Sequence, residues 1–189
     1  MKRAILLLFV LSAVPAAAQQ TVSGVSAVSA VGVSPDLAVS TAKGLWEQMT
    51  GFIAKAAEQV PEADYAFRPT PEVRTFGQLI GHVAGAQAMF CAAALGEKPG
   101  NEDEVEKSAT TKSALIAALR TTSQGCQRAY AQSDAASAGM TTLFGSQSTR
   151  LRVLMMNATH NAEHYGNIVT YMRIKGMVPP SSQPAPPRM

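Results

Sequence analysis

Three histidines are the residues of this 189-residue chain whose types and spacing best suit metal chemistry. His160 and His164 stand four residues apart, which places two imidazoles one turn apart on the same face of an α-helix. His82 lies far upstream in a separate apolar segment. Imidazole nitrogens on rigid elements bind divalent ions, and three of them leave a coordination position open. The three residues therefore predict a metal centre that is open to water or to a substrate.

The residues from His160 to His164 also match the H-x-x-E-H pattern of a class of zinc peptidases, in which the glutamate is the general base. Those enzymes need an acidic ligand further along the chain, and no Asp or Glu follows His164. A metallopeptidase is therefore a remote alternative. Glu163 is the nearest ionisable neighbour of the pair, and we predict it as a catalytic residue that orients a ligand or accepts a proton, with a solvated helix charge as the alternative.

The elements that must position the histidines are helices. Thr75 and Gln78 have the spacing of a capping box, and Gly176 has the place of a left-handed helix end. Apolar residues recur at three- and four-residue steps and predict four helices, at about residues 35–60, 75–95, 111–132 and 148–176. No convincing strand pattern is present, and the acidic stretch from about residue 100 to 107 should be exposed. The pattern predicts an all-α protein, an antiparallel four-helix bundle, in whose core facing helices bring His82 to the pair.

Other polar side chains on the fourth predicted helix could serve the same centre. Asn157, Tyr165 and Asn167 could donate hydrogen bonds near the metal. Residues of these types are more often packing or interhelix residues, so the alternative stays open.

Two cysteines are candidates for a disulfide. Cys91 lies near the end of the second predicted helix and Cys126 in the second half of the third. In an exported chain such a pair favours a bridge, and two buried free thiols are the alternative. Two straight antiparallel helices would hold the cysteines apart, unless the connecting loop folds back or the third helix starts late.

The ends of the chain predict export. Lys2 and Arg3 precede an apolar stretch that ends in an Ala-Ala-Ala cleavage pattern, which is typical of a secretory signal peptide. The apolar run is short and interrupted by Pro15, so we expect no permanent membrane anchor and a periplasmic or extracellular protein. The predicted divisions are a signal peptide (1–18), a flexible low-complexity leader (19–34), the bundle domain (35–178) and an extended Pro-rich tail (179–189).

The charge of the chain argues against nucleic-acid partners. Removal of residues 1–18 takes away two cations and no acid, so the formal charge falls from +3 to +1. No basic stripe with interleaved aromatic residues is visible, so nucleic-acid binding has no electrostatic basis. The expected partner is a small-molecule substrate or ligand of unknown identity, and a homodimer stays open.

Several phrases of the sequence together resemble the DinB-like family of four-helix bundle metalloproteins, over about residues 37–178. They are Thr75-Phe-Gly-Gln-Leu-Ile-Gly-His82, His160-Asn-Ala-Glu-His164-Tyr-Gly-Asn, Tyr171-Met-Arg-Ile-Lys-Gly176, Tyr65-Ala-Phe-Arg68-Pro-Thr-Pro and the lone Trp46. The resemblance implies that His82, His160 and His164 bind a divalent metal, with zinc or nickel expected first. It also implies a metal-dependent hydrolase or transferase acting on a small molecule. A non-catalytic metal-binding or ligand-binding module is the alternative.

Overall fold

The computed structural model describes residues 35–184, so the predicted signal peptide, the leader and residues 185–189 lie outside the described part. The bundle consists of four long helices: α1 (Leu37–Gln59), α2 (Phe76–Leu95), α4 (Lys112–Ala129) and α6 (Arg150–Ile174). Shorter elements connect them: α3 (Glu104–Ser108), α5 (Asp134–Ser137), β1 (Met140–Leu143), β2 (Ser146–Thr149) and a 3-10 helix (Glu62–Asp64). The predicted four-helix bundle is confirmed.

Helix α2, which carries His82, is fixed at its start by the predicted capping box and at its end by a glycine. The Thr75 hydroxyl accepts a hydrogen bond from the Gln78 backbone N–H, and the Gln78 side chain accepts one from the Thr75 N–H (3.2 and 2.8 Å). Gly96 ends the helix in the left-handed conformation with φ 76°, which costs a glycine little because it has no Cβ. The capping box and the glycine therefore set the length of the helix and the position of His82 within it.

Helices α2 and α4 run in the same direction, unlike the antiparallel pairing that we expected for this one pair. Near their starts, Gly77 lies against Leu115, and near their ends Cys91 is bonded to Cys126 with a Cα–Cα distance of 5.2 Å. The direction follows from the segment 96–111, which turns back along α2 and includes α3. The disulfide forms because this segment folds back, the first of the two conditions that the sequence left open.

The segment between α4 and α6, which we predicted to be a loop, contains a small antiparallel hairpin. Strand β1 pairs with β2 from Met140 opposite Thr149 to Leu143 opposite Ser146. Phe144 and Gly145 form the two-residue turn, both at positive φ (50° and 73°), as a hairpin turn of this kind requires. The expectation of no strands is wrong here, because these strands are short, polar and lack the alternation that marks a half-buried strand.

The predicted tail after residue 178 is not extended throughout. Residues Pro180–Ser182 form a 3-10 helix, in which Pro180 is buried. The Tyr165 hydroxyl donates a hydrogen bond to the Ser181 hydroxyl (2.9 Å) and accepts one from the Ser181 N–H. These contacts hold the start of the tail against α6.

A buried polar side chain, Gln87 of α2, joins the other three long helices, since its Nε2 also donates hydrogen bonds to the Ser123 and Thr122 hydroxyls of α4 (2.9 and 3.3 Å). Its carbonyl oxygen accepts hydrogen bonds from Trp46 Nε1 (2.7 Å) and Asn161 Nδ2 (3.0 Å), and no part of Gln87 is exposed. A buried amide that has found its partners fixes their relative positions. Not every apolar residue of α1 faces the core, since Leu37 and Leu45 are 56% and 52% exposed.

Within residues 35–184, α2 is also the one helix long and apolar enough to cross a membrane. Its most apolar window is 78% buried inside the bundle, and it carries His82 and Gln87 on buried positions. This environment is that of a core helix, which is apolar because its whole circumference packs against protein.

Candidate metal centre

The three histidines of the sequence prediction meet in the core of the bundle. His160 Nε2 lies 3.1 Å from His82 Nε2 and 3.1 Å from His164 Nε2. All three residues offer ligand nitrogens within 4.8 Å of one another. His82 and His164 are buried and His160 is half-buried, so the group is largely shielded from water.

The arrangement fits a bound cation better than a hydrogen-bonded cluster. A ring nitrogen has either one hydrogen or one lone pair, so His160 Nε2 can satisfy only one of its two neighbours by hydrogen bonding. A cation bound to all three lone pairs removes this conflict. Two ligand nitrogens about 2.0–2.1 Å from a tetrahedral zinc ion are about 3.3 Å apart, close to the two separations of 3.1 Å.

In the described part of the chain, the second nitrogens of the rings lack the protein partners that metal-binding histidines usually have. Nδ1 of each of the three histidines is buried and has no hydrogen-bond partner among the described residues. A histidine that binds a metal through Nε2 carries its proton on Nδ1, where a partner then orients the ring. The donor set, three neutral imidazoles, suits zinc, nickel, copper or iron(II) alike.

The electrostatic environment keeps the histidines neutral, as metal ligands must be. Burial, and next the Arg74 charge, lower the pKa of His82 to about 4. Burial, and next the neighbouring His164, lower the pKa of His160 to about 3. Burial also lowers the pKa of His164. At neutral pH all three lone pairs are therefore available without loss of a proton.

Acid should destabilise the metal-free protein between about pH 6.5 and pH 4. In the unfolded chain the histidines titrate near pH 6.5, whereas in the folded protein the pKa values of His82 and His160 are about 4 and about 3. In this window the unfolded state binds more protons, so the free energy of unfolding falls as the pH falls. Urea unfolding of the metal-free protein at several pH values measures this. The His160→Ala variant should lose less stability on acidification, and an identical pH dependence would contradict the burial of neutral His160.

Glu163, the predicted catalytic residue, lies on the exposed side of α6. Its negative charge opposes the lowering of the His164 pKa by burial, so it acts on the centre through space. Its assignment as a proton acceptor stays a prediction.

The three polar residues of α6 that could have served the centre do not contact the histidines. Asn157 Nδ2 lies 3.4 Å from Cys91 Sγ and 3.3 Å from the Tyr130 hydroxyl, so it contacts the disulfide instead. The Tyr165 hydroxyl bonds to Ser181. Asn167 is exposed. The structure therefore favours the interhelix alternative for Asn157 and Tyr165.

Three charged residues beside the centre were missed by the sequence interpretation. Arg74 Nε donates a hydrogen bond to Glu106 Oε2 (2.9 Å), and an Arg74 terminal nitrogen lies 4.0 Å from Asp103 Oδ1. Both carboxylates approach the Nδ1 atom of His82, the ring nitrogen that does not face the other histidines. The segment that we expected to be an exposed acidic loop thus covers one side of the metal centre.

Spaced glycines are the sequence signal that could have revealed this cover. Gly81 and Gly85 lie on the face of α2 that meets the segment. A Cβ at Gly81 would be 2.7 Å from Glu106 Cα, and a Cβ at Gly85 would overlap the Glu102 carbonyl oxygen. Only residues without a side chain allow the two backbones to approach so closely.

A helical bundle whose facing helices carry three converging histidines defines a class of metal-binding bundle proteins. A family model described as the DinB superfamily matches residues 45–168. The chain belongs to this superfamily. No match was found among curated proteins.

Solved structures show the same fold. A DinB-like protein from Bacillus cereus ATCC 10987 is 17% identical, with a TM-score of 0.65 over 75% of this chain and 95% of that one. YfiT from Bacillus subtilis, described as a probable metal-dependent hydrolase with an unusual four-helix bundle topology, is 15% identical, with a TM-score of 0.60 over 78% and 93%. A mycothiol-dependent maleylpyruvate isomerase is 19% identical, with a TM-score of 0.57 over 69% and 59%.

Proposed function

We propose that this protein is an exported metal-dependent hydrolase or transferase that acts on a small molecule. The observation that carries the proposal is the convergence of three imidazole nitrogens, with two separations of 3.1 Å, at a half-buried point of the bundle. A divalent ion held there would supply Lewis-acid chemistry, polarising a substrate carbonyl or lowering the pKa of water. The described activities of similar folds, a probable metal-dependent hydrolase and a thiol-dependent isomerase, are compatible with it.

The chain's own residues would provide the ligands and the environment. His82, His160 and His164 would hold the ion, while the apolar side of the bundle limits the access of water. Phe90 contacts His160 edge to face, and the exposed Phe144 contacts Phe90 in the same way (ring centroids 5.5 and 6.1 Å apart). These two rings provide an apolar wall on the His160 side for part of a substrate.

Export supports hydrolysis over thiol transfer. The predicted signal peptide directs the chain out of the cytoplasm, and the Cys91–Cys126 disulfide persists in oxidising compartments. Low-molecular-weight thiols are scarce there, so a thiol co-substrate is less suited to this protein than water is. The compartment that we propose is the periplasm or the exterior of the cell.

The second candidate function is a non-catalytic metal-binding or ligand-binding module. It is favoured by the exposure of Glu163, the one carboxylate that we predicted as a proton acceptor. The two candidates differ in whether a molecule from solution exchanges at the ion and is turned over.

A rate assay on the mature protein separates the two. Zinc- or nickel-loaded protein is assayed with small esters and amides, with and without an added thiol. We expect the wild type to hydrolyse a substrate and the rate to fall by about 100-fold or more in the His160→Ala variant. The reason is that Lewis-acid stabilisation of the transition state is worth several kcal/mol. Removal of the metal by a chelator should have the same effect, and metal addition should restore the rate.

A different result of the rate assay would favour the binding module. The protein would retain its ion, yet wild type and His160→Ala would show the same background rate with every substrate. In the cobalt-substituted protein, a change of the absorption spectrum on addition of a hydroxamate would then report an open coordination position.

A further inference from the structure

The Nδ1 atom of His82 lies in an environment that differs from that of Nδ1 in His160 and His164. His82 is 6% exposed, and its Nδ1 has no hydrogen-bond partner among the described residues. Two carboxylate oxygens lie just beyond bonding distance of this atom: Glu106 Oε2 at 3.9 Å and Asp103 Oδ1 at 4.0 Å. Within residues 35–184, neither His160 nor His164 has a carboxylate oxygen so near a ring nitrogen. The acidic segment of residues 100–107, which we call the cover segment, therefore acts on only one of the three histidines.

Glu106 is the better placed of the two carboxylates. Its side chain is 14% exposed, against 37% for Asp103. Arg74 Nε holds the Glu106 carboxylate at 2.9 Å, whereas Asp103 is shared with the exposed Lys107 (3.3 Å). A charge-assisted hydrogen bond of this length fixes an acceptor more firmly than an exposed pair does.

The backbone that carries Glu106 is also fixed against α2. The contacts of Glu106 Cα at Gly81 and of the Glu102 carbonyl at Gly85 leave no room for a side chain on either glycine. The backbone positions of Glu106 and of α2 are thus set by close packing, so the separation between the Glu106 carboxylate and His82 Nδ1 can change only through their side chains.

We propose that Glu106, held by Arg74, is a positioning residue for the metal centre: it accepts a hydrogen bond from His82 Nδ1–H when Nε2 binds the ion. The 3.9 Å separation closes by about 1 Å to reach ordinary hydrogen-bond length. The bond fixes the tautomer that presents the Nε2 lone pair, orients the ring and makes the nitrogen a stronger ligand. This inference rests on the proposed metal centre and adds a role for Arg74 and Glu106 in its affinity.

Metal affinity of the mature protein tests the role directly. Zinc dissociation constants are measured by chelator competition for wild type, Glu106→Gln and Glu106→Ala. We expect an affinity loss of about 10–100-fold for Glu106→Ala, the range typical when the hydrogen-bond partner of a metal-binding histidine is removed. Glu106→Gln, which keeps an acceptor oxygen without the charge, should lose less. Asp103→Asn is the matched control and should change the affinity by less than about threefold.

A second variant displaces Glu106 without altering it. Gly85→Ala places a methyl group where the Glu102 carbonyl lies, so it should push the cover segment away and weaken zinc binding as Glu106→Ala does. Gly125→Ala is its control, because a Cβ at Gly125 meets nothing within 4 Å. This pair of glycine variants still tests the role of Glu106 if one Glu106 variant fails to fold.

A spectroscopic signal distinguishes positioning from a general loss of structure. In the zinc-loaded wild type, NMR should show a His82 Nδ1–H that exchanges slowly with water, and Glu106→Ala should make this exchange fast while the bundle stays folded. Unchanged zinc affinity and unchanged exchange in Glu106→Ala would overturn the inference and leave the centre intact. Full loss with Asp103→Asn and none with Glu106 variants would also overturn it. Failure of the wild type itself to bind zinc, nickel or cobalt would overturn the metal centre as well.

Discussion

Replacement of His160 by alanine should reduce the metal content of the purified mature protein from about one ion per chain to nearly none. His160 has the largest effect because its Nε2 lies 3.1 Å from the Nε2 atoms of both other ligands, so the three nitrogens converge around it. The remaining His82 and His164 would bind as a two-ligand site, which few structural or catalytic zinc centres use. Elemental analysis after gel filtration measures the ion content, and circular dichroism confirms that the helices persist.

Thr170→Ala is a suitable control on the same helix. Thr170 is exposed on α6, and its hydroxyl bonds only to the Gly166 carbonyl one turn earlier (3.2 Å). This variant should keep the wild-type metal content. If His160→Ala also kept it, the ion would be bound elsewhere, and the assignment of all three histidines would be wrong.

The sequence contains the local determinants of the helices and of two of the three candidate ligands. The capping box at Thr75, the terminal glycine at 96 and the apolar periodicity act within a few residues, so they can be recognised without the rest of the fold. The His160–His164 pair follows from helical spacing alone. The third ligand, His82, could be placed with the pair only through the bundle architecture and the family resemblance.

The direction of α4 and the cover over His82 depend on contacts distant in sequence. A loop of 16 residues between α2 and α4 can lead to a parallel or an antiparallel neighbour, and nothing local decides between them. Tertiary contacts determine the direction of α4: Leu115 packs against Gly77, and the segment that contains α3 packs against Gly81 and Gly85. Arg74 and Glu106 gain their role from that packing, so charge patterning alone indicated an exposed segment.

The hairpin was missed for a different reason. Its strands have four residues each and are rich in Thr and Ser, so they lack the alternating apolar residues on which strand recognition depends. Their stability comes from attachment to the bundle, since the Thr141 hydroxyl donates a hydrogen bond to the Ala93 carbonyl of α2 (2.7 Å). An isolated hairpin of this length is marginal in water.

The other large effect concerns stability. Replacement of both Cys91 and Cys126 by alanine should lower the free energy of unfolding by about 3–4 kcal/mol, because the bridge closes a loop with a sequence separation of 35 and restricts the unfolded chain accordingly. For a domain of this size the loss corresponds to a fall in melting temperature of about 10 °C. Urea unfolding and thermal melting, followed by circular dichroism, measure both quantities.

Reduction offers an independent comparison with this double variant. A thiol reductant should destabilise the wild type by a similar amount and leave the double variant unchanged, since the bridge is the only covalent difference that a reductant removes. The Asn157 amide near Cys91 and Cys126 bonds to the Tyr130 hydroxyl as well, so it keeps a partner after the sulfur atoms are lost. A double variant as stable as the oxidised wild type would show that the packing of α2 against α4, and not the bridge, determines the stability of this pair.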